Sequence, residues 1–334
     1  AIHGFTVRSP SGRTVEFPFP GRGLFGAVSR RRDLDAALVD LARAAGAKVH
    51  EGCGFEDLRW SDDGVLLRVD GYEAVAARYV IGADGMWSPV RKALGLAEPG
   101  YLGEWHAFRQ YLRTDRDEAR RLWVWFEPDL LPGYAWSFPL PDGTVNVGFG
   151  IRRSPGEPTR SMAETWRRLL AVPHIQAVLG PDPAAEAPHR AWPIPARLPQ
   201  AAVSAAGGRV LLVGDAARAT DPMTGEGIGQ ALETGRAAAG AILRAGPTGA
   251  ATAGESYECR LRSSLAVDHR LAGALSAVLA SSVGARGAIR LAGASAWTRR
   301  NFARWLFEDY PRALLVTPRR WRAGVLGRPG AFTS

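Results

Sequence analysis

Two glycine–aspartate turns, each directly after an apolar strand, are the residues of this chain best suited to chemistry. The first is Asp84-Gly85, which follows the apolar run 79–81, and the second is Gly214-Asp215, which follows the apolar run 210–213. At the C-terminal end of a buried strand, a carboxylate can accept a hydrogen bond from a ribose or ribitol hydroxyl, and small residues let the backbone approach a pyrophosphate. The two turns therefore predict a dinucleotide site.

The segment after the second turn predicts another wall of this site. Pro222 turns the chain, and Gly225 and Gly227 lead into a long helix of small residues that begins near Ile228. The first N–H groups of a helix have no partner inside the helix and lie at its positive end, so they suit an electron-rich ring. Either turn alone also fits a plain strand–turn–helix unit, but their order, with a β domain between them, favours the site.

These motifs resemble the Asp-Gly and Gly-Asp motifs of the glutathione-reductase-type flavoproteins, in their hydroxylase-like branch. The resemblance implies FAD as the cofactor. Arg31 resembles the arginine of an arginine-x-x-hydrophobic-Asp element that precedes a helix and contacts FAD. Phe55 is implied to contact the adenine through its backbone. A surface arginine at a helix cap is the alternative interpretation of Arg31.

A further motif narrows the resemblance to the geranylgeranyl reductases. Residues 134–139 read Tyr-Ala-Trp-Ser-Phe-Pro and residues 148–150 read Gly-Phe-Gly, which is similar to that family's Tyr-x-Trp-x-Phe-Pro…Gly-x-Gly signature. The segment from Pro222, Pro-x-x-Gly-Glu-Gly-Ile-Gly, also fits. Alternate residues of a strand share one face, so the three aromatic residues form one stripe. A stripe that faces the protein core is the alternative interpretation, because aromatic residues favour strands in general. The resemblance implies a wall along an isoprenoid chain, formed by Tyr134, Trp136, Phe138 and Pro139.

The resemblance implies an FAD-dependent oxidoreductase that reduces carbon–carbon double bonds of a geranylgeranyl or polyprenyl chain, in a prenyl lipid or a menaquinone tail. The flavin supplies the hydride, and NAD(P)H or a reduced electron carrier is the donor. The sequence identifies no catalytic residue and predicts no metal site, because His106, His174 and His189 are scattered and are predicted to be structural. The alternatives are an FAD-dependent aromatic monooxygenase, since the same turns serve both activities, and a non-catalytic isoprenoid-binding protein.

The elements that must position these residues predict an α/β fold. It consists of a Rossmann-like FAD-binding domain, N-terminally truncated, an inserted antiparallel β-sheet substrate domain and a C-terminal helical region. Apolar residues recur at helical spacing in an amphipathic helix over 33–45, and residues 247–254 are typical of a linker. The predicted domains are 1–100 with 204–246 for FAD, 101–203 for the β-sheet and 247–334 for the helices.

The beginning of the chain departs from the family pattern. Family members open with a strand, a glycine loop and a helix, and nothing upstream of Arg31 supplies these, so a unit of about 50 residues is predicted to be absent. Residues 21–26 match Gly-x-Gly-x-x-Gly, but Pro18 and Pro20 stand where a buried strand is required. We interpret that match as a glycine-rich turn.

Charge is concentrated at the end of the chain. The net charge is +9, and residues 281–334 carry ten arginines against Glu308 and Asp309, with aromatic residues between them. Such a segment favours an anionic membrane surface or a solvated helix face, and we expect no nucleic acid partner. With two cysteines and no visible signal peptide, the sequence predicts a cytoplasmic protein peripherally associated with a membrane.

Overall fold

A computed structural model describes residues 2, 4–18, 27–153, 161–307, 313, 316–318 and 321. The glycine-rich match at 21–26 and most of the basic tail after Phe307 lie outside the described residues. The strands are β1 (Gly4–Arg8), β2 (Thr14–Pro18), β3 (Phe55–Trp60), β4 (Val65–Val69), β5 (Val75–Ala77), β6 (Val80–Gly82), β7 (Trp105–Arg113), β8 (Leu122–Trp125), β9 (Tyr134–Pro139), β10 (Thr144–Arg152), β11 (Ala184–Ala185), β12 (Arg190–Ile194), β13 (Ser204–Ala205) and β14 (Val210–Leu212). The helices are α1 (Arg31–Ala44), α2 (Pro89–Ala93), α3 (Ser161–Leu170), α4 (Pro173–Leu179), α5 (Ile228–Ala245), α6 (Ala250–Ser263), α7 (Leu265–Leu279), α8 (Ser282–Ala292) and α9 (Ala296–Phe307).

The chain divides into two compact units. The first, which we call the sheet unit, comprises residues 1–38, 106–192 and 274–334, and the second, the turn unit, comprises residues 39–105 and 193–273. The predicted domains differ from this division, because residues 4–18 were assigned to the FAD-binding domain and the C-terminal helices to a region of their own. In the structure β1 and β2 join the large sheet, and α8 and α9 belong to the sheet unit.

The sheet unit is built on an eight-stranded sheet with the order β11-β7-β10-β9-β8-β1-β2, in which β12 also pairs with β7. The predicted sheet is antiparallel, but β1 runs parallel to β8. One face is covered by α3 and α4, and its core includes Phe108, Trp125, Phe149 and Trp166. The other face carries a smaller core in which Phe5 and Phe17 pack with residues of α8 and α9.

The turn unit contains a three-stranded sheet, β13-β14-β6, and a separate three-stranded meander, β3-β4-β5. β14 is completely buried, as expected for a central strand of an α/β fold. Residues 247–254 were predicted to be a linker, and this is wrong, because α6 begins at Ala250. Gly208 and Gly254 pack backbone against backbone, which brings α6 onto the strand, and the hydroxyl of Tyr257 donates to the carbonyl of Leu212 at 2.6 Å.

The predicted amphipathic helix forms as α1, but its apolar face is not covered by the described residues. No residue of α1 is buried, and the side chain of Leu41 is 66% exposed. In the described part of the chain, no single helix is long and apolar enough to cross a membrane. The helical segments 250–279 and 282–292, which meet at a sharp bend, would together be long and apolar enough, judged by length and composition only.

Candidate functional site

The two glycine–aspartate turns lie at one sheet edge because their strands are parallel neighbours. Gly82 of β6 lies opposite Leu212 of β14, and the N–H of Val213 donates to the carbonyl of Gly82 at 3.0 Å. Since parallel strands end at the same edge of a sheet, Asp84 and Asp215 both leave the sheet there. A Cβ at Gly82 would lie 2.7 Å from Cδ2 of Leu212, which explains the glycine at the end of β6.

Asp84 fixes the shape of its own turn. The hydroxyl of Ser88 donates to one carboxylate oxygen at 2.7 Å, and the N–H of Val90 donates to the other at 2.8 Å. Gly85 adopts φ +80°, a left-handed conformation that favours glycine, and no described atom lies within 4 Å of the position of a Cβ. The carboxylate therefore holds the turn, while the backbone at Gly85 stays open to a ligand.

Asp215 is held between β14 and α5. Gly214 turns the chain at φ +54°, and its N–H donates to the hydroxyl of Thr234 in α5 at 2.9 Å. The hydroxyl of Thr220 donates to Oδ1 of Asp215, also at 2.9 Å. The carboxylate is half-buried, so it is oriented by protein groups and still accessible to a ligand hydroxyl.

A residue that the sequence reasoning missed, Asp221, shapes the loop that follows. Its side chain is buried, and Oδ1 accepts from the N–H groups of Met223 and Thr224 and from the hydroxyl of Thr224, at 2.8–3.0 Å. An aspartate before proline, with threonine three positions later, is a turn signal that could have identified it. The N–H of Asp221 also donates to the carbonyl of Glu226, which closes the loop.

The start of α5 differs from the prediction that its first N–H groups are free for a flavin ring. Oε1 of Glu226 accepts from the N–H of Ile228 at 2.9 Å and from that of Gly229 at 3.1 Å. A carboxylate is stabilised at the positive end of a helix, so Glu226 caps α5 with its own side chain. Gly225, at φ +69°, and Gly227 provide the backbone of this turn.

A buried arginine holds the segment between Asp215 and Asp221. The backbone of Arg218 has a φ of +58°, which is rare for residues other than glycine, and its side chain is 3% exposed. Its guanidinium lies 3.9 Å from the ring centroid of Tyr101 and 2.6 Å from a carboxylate oxygen of Glu98. Hydrogen bonds from Arg218 and Arg197 lower the pKa of Glu98, although burial opposes them. Burial and the carboxylate of Glu104 raise the pKa of Tyr101.

The aromatic stripe of the sheet unit forms as predicted along β9. The ring centroids of Tyr134 and Trp136 are 5.9 Å apart, and those of Trp136 and Phe138 are 6.0 Å apart. Gly148 of β10 lies opposite Trp136, and a Cβ there would lie 2.5 Å from the indole ring. The indole N–H donates to the side-chain oxygen of Asn146 at 3.3 Å. The first glycine of the Gly-x-Gly segment therefore makes room for the tryptophan ring.

The stripe does not face the core that α3 and α4 cover. Its neighbours Ala135 and Ser137 are buried and point to that side, whereas all three aromatic residues are half-buried on the opposite face. Phe138 packs against the smaller core beneath α8 and α9. Tyr134 and Trp136 are therefore not part of the main core, and the predicted contact of the stripe with substrate stays a prediction.

The two other residues that were predicted to contact FAD, Arg31 and Phe55, lie in different units of the structure. Arg31 lies in the sheet unit, pairs with Asp35 at 3.1 Å, and is 54% exposed, which fits the alternative interpretation. Phe55 lies in the turn unit, where it pairs with Val69 and its ring is partly buried against the core of β14. Their contacts with FAD, and that of Pro139 with substrate, stay predictions.

Two of the three histidines that were predicted to be structural contact neighbouring side chains. His174 pairs with Glu127 at 2.8 Å, and His189 stacks on Phe108 with centroids 4.3 Å apart. Burial and the charge of Arg153 lower the pKa of His106, so both favour the neutral form of this ring. Among the described residues no group of three or more His, Cys, Asp or Glu side chains is placed to hold a metal ion.

Parallel strands ending in two aspartate turns, beside a helix with a glycine-rich entry, define a dinucleotide-binding α/β fold. The chain belongs to the FAD-binding domain family, whose model matches residues 27–255. It is 33% identical over 245 residues to digeranylgeranylglycerophospholipid reductase 1 of Methanopyrus kandleri, covering 69% of this chain and 60% of that protein. It is 31% identical over 268 residues to menaquinone reductase of Mycolicibacterium smegmatis, covering 74% of this chain and 61% of that protein. The chain thus spans about three fifths of the length of these relatives.

Solved structures have the same fold. A geranylgeranyl bacteriochlorophyll reductase-like protein of Thermoplasma acidophilum superimposes with a TM-score of 0.76 at 20% identity, over 92% of this chain and 80% of that one. The structure of a halogenase mutant in complex with FAD superimposes with a TM-score of 0.66 at 19% identity, over 92% of this chain and 66% of that one. The predicted fold class and the predicted resemblance to geranylgeranyl reductases are confirmed.

The turn unit fits FAD. The backbone at Gly85 is open, and Asp215 presents a half-buried carboxylate that Thr220 orients. Oε1 of Gln230, in the first turn of α5, is buried and has no hydrogen-bond partner among the described residues, so it can accept a donor from a ligand. Residues of the two turns and of the α5 entry would hold the cofactor.

Proposed function

We propose that this protein is an FAD-dependent reductase of isoprenoid carbon–carbon double bonds. The observation that carries the proposal is the aromatic stripe of β9, whose Tyr134 and Trp136 lie half-buried on the sheet face opposite the main core. The names of two relatives support it, because a digeranylgeranyl lipid and menaquinone have different head groups and share a polyprenyl chain. The common chain, rather than either head group, is the group that we propose to be bound.

The chemistry needs a hydride at one alkene carbon and a proton at the other. Bound FAD would supply the hydride, after reduction by NAD(P)H or a reduced electron carrier. The protein's contribution is positioning: Asp215 would accept a hydrogen bond from a cofactor hydroxyl, and the Asp84 turn would present its backbone to the pyrophosphate. The aromatic stripe would align the chain and exclude water, since correct placement of an apolar alkene supplies much of the rate.

The proposed substrate also implies a location. A long isoprenoid chain resides in a bilayer, so we propose that the protein is cytoplasmic and held peripherally at a membrane. The basic C-terminal helices support this part of the proposal, because their exposed arginines suit an anionic lipid surface.

The test is a single-turnover reaction without oxygen. FAD-loaded protein, reduced chemically, is mixed with a geranylgeranyl lipid in detergent, and the product is analysed by mass spectrometry. We expect the lipid to gain one pair of hydrogens for each reduced double bond, and an Asp215→Ala variant with depleted flavin to give none. A product that gains one oxygen atom in air, with no reduction under anaerobic conditions, would instead assign the monooxygenase activity.

A further inference from the structure

Helix α8 presents an outer face of unusual composition. Val283 and Leu291 are 71% and 70% exposed, and Arg286 and Arg290 are exposed beside them. Spacings of three, four and eight residues place all four side chains on one side of the helix. We call these four residues the basic-apolar face.

The orientation of this face is fixed by the opposite side of the helix. Ala285 and Ile289 are buried, and Ile289 belongs to the small core of the sheet unit. At the end of α8, a Cβ at Gly293 would lie 2.8 Å from the side chain of Val15, so α8 lies close to β2. Because the inner side is packed, the basic-apolar face is directed outward by the fold.

The segments on either side of α8 lack carboxylates and carry exposed apolar side chains. Residues 274–307 contain five arginines and no aspartate or glutamate. Val278, near the end of α7, is 52% exposed, and Trp297, at the start of α9, is 50% exposed. Neither Arg286 nor Arg290 forms an ion pair with a carboxylate of the described residues. Arg120, an exposed arginine elsewhere in the sheet unit, is by contrast paired with Asp117.

Exposed aliphatic side chains flanked by arginines match the chemistry of a bilayer surface. The lipid chains just below the head groups take up aliphatic and tryptophan side chains, while anionic head groups attract arginine. Carboxylates, which such a surface repels, are absent from residues 274–307. We infer that the basic-apolar face of α8 docks on an anionic lipid bilayer, with Val278 and Trp297 as flanking contacts.

This inference deepens the proposed function. The role of docking rests on that function, because docking would bring the protein to an isoprenoid substrate that resides in the membrane. Its measurement is independent of FAD and of turnover. Each arginine at an anionic surface contributes roughly fivefold in affinity, and burial of each aliphatic side chain contributes about tenfold or more. Removal of the two arginines should therefore weaken binding roughly 25-fold at low salt, because the two effects multiply.

The experiment is co-sedimentation with vesicles of phosphatidylcholine and phosphatidylglycerol, compared with phosphatidylcholine alone. The variants are Arg286→Gln with Arg290→Gln, and Val283→Ser with Leu291→Ser. The matched control is Arg120→Gln with Leu243→Ser, whose side chains are 82% and 81% exposed and lie outside α8. We expect binding to anionic vesicles that falls with salt, falls in both α8 variants and is unchanged in the control.

Equal binding to neutral and anionic vesicles would overturn the inference, and so would α8 variants that bind as the wild type does. A concentration-dependent dimer broken by the same variants, without vesicle binding, would assign the face to a second copy of the chain. Reduction of a detergent-dissolved isoprenoid should be unchanged in both α8 variants. A lack of that activity with normal vesicle binding would therefore reject the proposed function alone.

Discussion

The two glycines of the Gly-x-Gly segment differ in what surrounds them, and this gives a quantitative test of the aromatic stripe. A Cβ at Gly148 would lie 2.5 Å from the indole of Trp136 and would clash with the backbone carbonyl of Phe108. A Cβ at Gly150, two residues along the same strand, would meet no described atom within 4 Å. The substitution to alanine is therefore the same chemical change in crowded and in open surroundings.

The expected cost follows from the contact distances. Carbon atoms pack at about 3.5–4.0 Å, so Gly148→Ala requires the indole to move by roughly 1 Å. Overpacking of this kind destabilises by about 1–3 kcal/mol, and we expect the upper part of that range because a strand carbonyl cannot rotate away. For a chain of 334 residues, a loss of about 2–3 kcal/mol corresponds to a melting temperature about 3–4 °C lower. Gly150→Ala should change the free energy of unfolding by less than about 0.5 kcal/mol.

Both variants are measured by thermal and urea unfolding beside the wild-type protein. Equal melting temperatures for the two alanine variants would refute the packing of Trp136 over Gly148. A displaced indole should also lower turnover on a long isoprenoid, so Gly148→Ala and Gly150→Ala should differ in activity in the same direction as in stability.

Three further substitutions test the site. Asp215→Ala should raise the dissociation constant of FAD about 10- to 150-fold, because a charge-assisted hydrogen bond is lost; an unchanged constant in flavin-fluorescence titration would remove Asp215 from the site. Trp136→Ala should lower kcat/KM for a long isoprenoid by about tenfold or more while the protein stays folded and flavin-loaded, whereas Trp60→Ala, at a half-exposed tryptophan of β3, should not. Glu98 has a lowered pKa through Arg218, so its carboxylate stabilises the fold above its unfolded pKa of about 4.3, and this is lost as the pH falls through the folded value. Glu98→Gln should thus cost less than about 1 kcal/mol at neutral pH, since Glu98 is 53% exposed, and nothing in acid; a gap in unfolding free energy that persists in acid would contradict the ion pair.

Sequence patterns predicted the parts of this protein that depend on local order. β9 occupies the predicted residues 134–139, and the strand before Asp215 is buried as its apolar run indicates. Long-range pairing was harder to predict: the pairing of β1 with β8 depends on contacts between distant residues, and no local pattern records it. The beginning of α6 at Ala250 was missed because Gly249 and Gly254 read as a linker, although Gly254 serves close backbone packing.

Within the candidate site, spacing located the two aspartates but did not show how their oxygens are used. Asp84 binds Ser88 and Val90 of its own turn, which only the folded backbone reveals. Glu226 was read as part of a glycine-rich entry, yet its side chain caps α5. Side-chain capping depends on rotamers, and rotamers are not fixed by residue order.

The pairing of β6 with β14 also sets the order in which the protein can be made. A hydrogen bond from Arg209 to the carbonyl of Arg78 already spans 131 positions, and the contact of Tyr257 with Leu212 adds a later segment still. Among the described strands β6 pairs with β14 alone, so during synthesis β6 and the first aspartate turn must wait until residues 210–212 have left the ribosome. Contacts of such sequence separation close slowly, and an unpaired strand edge is a site where nascent chains aggregate. Cofactor capture is therefore a late event in biogenesis, and expression at a reduced rate of translation, with flavin in excess, should raise the yield of folded protein.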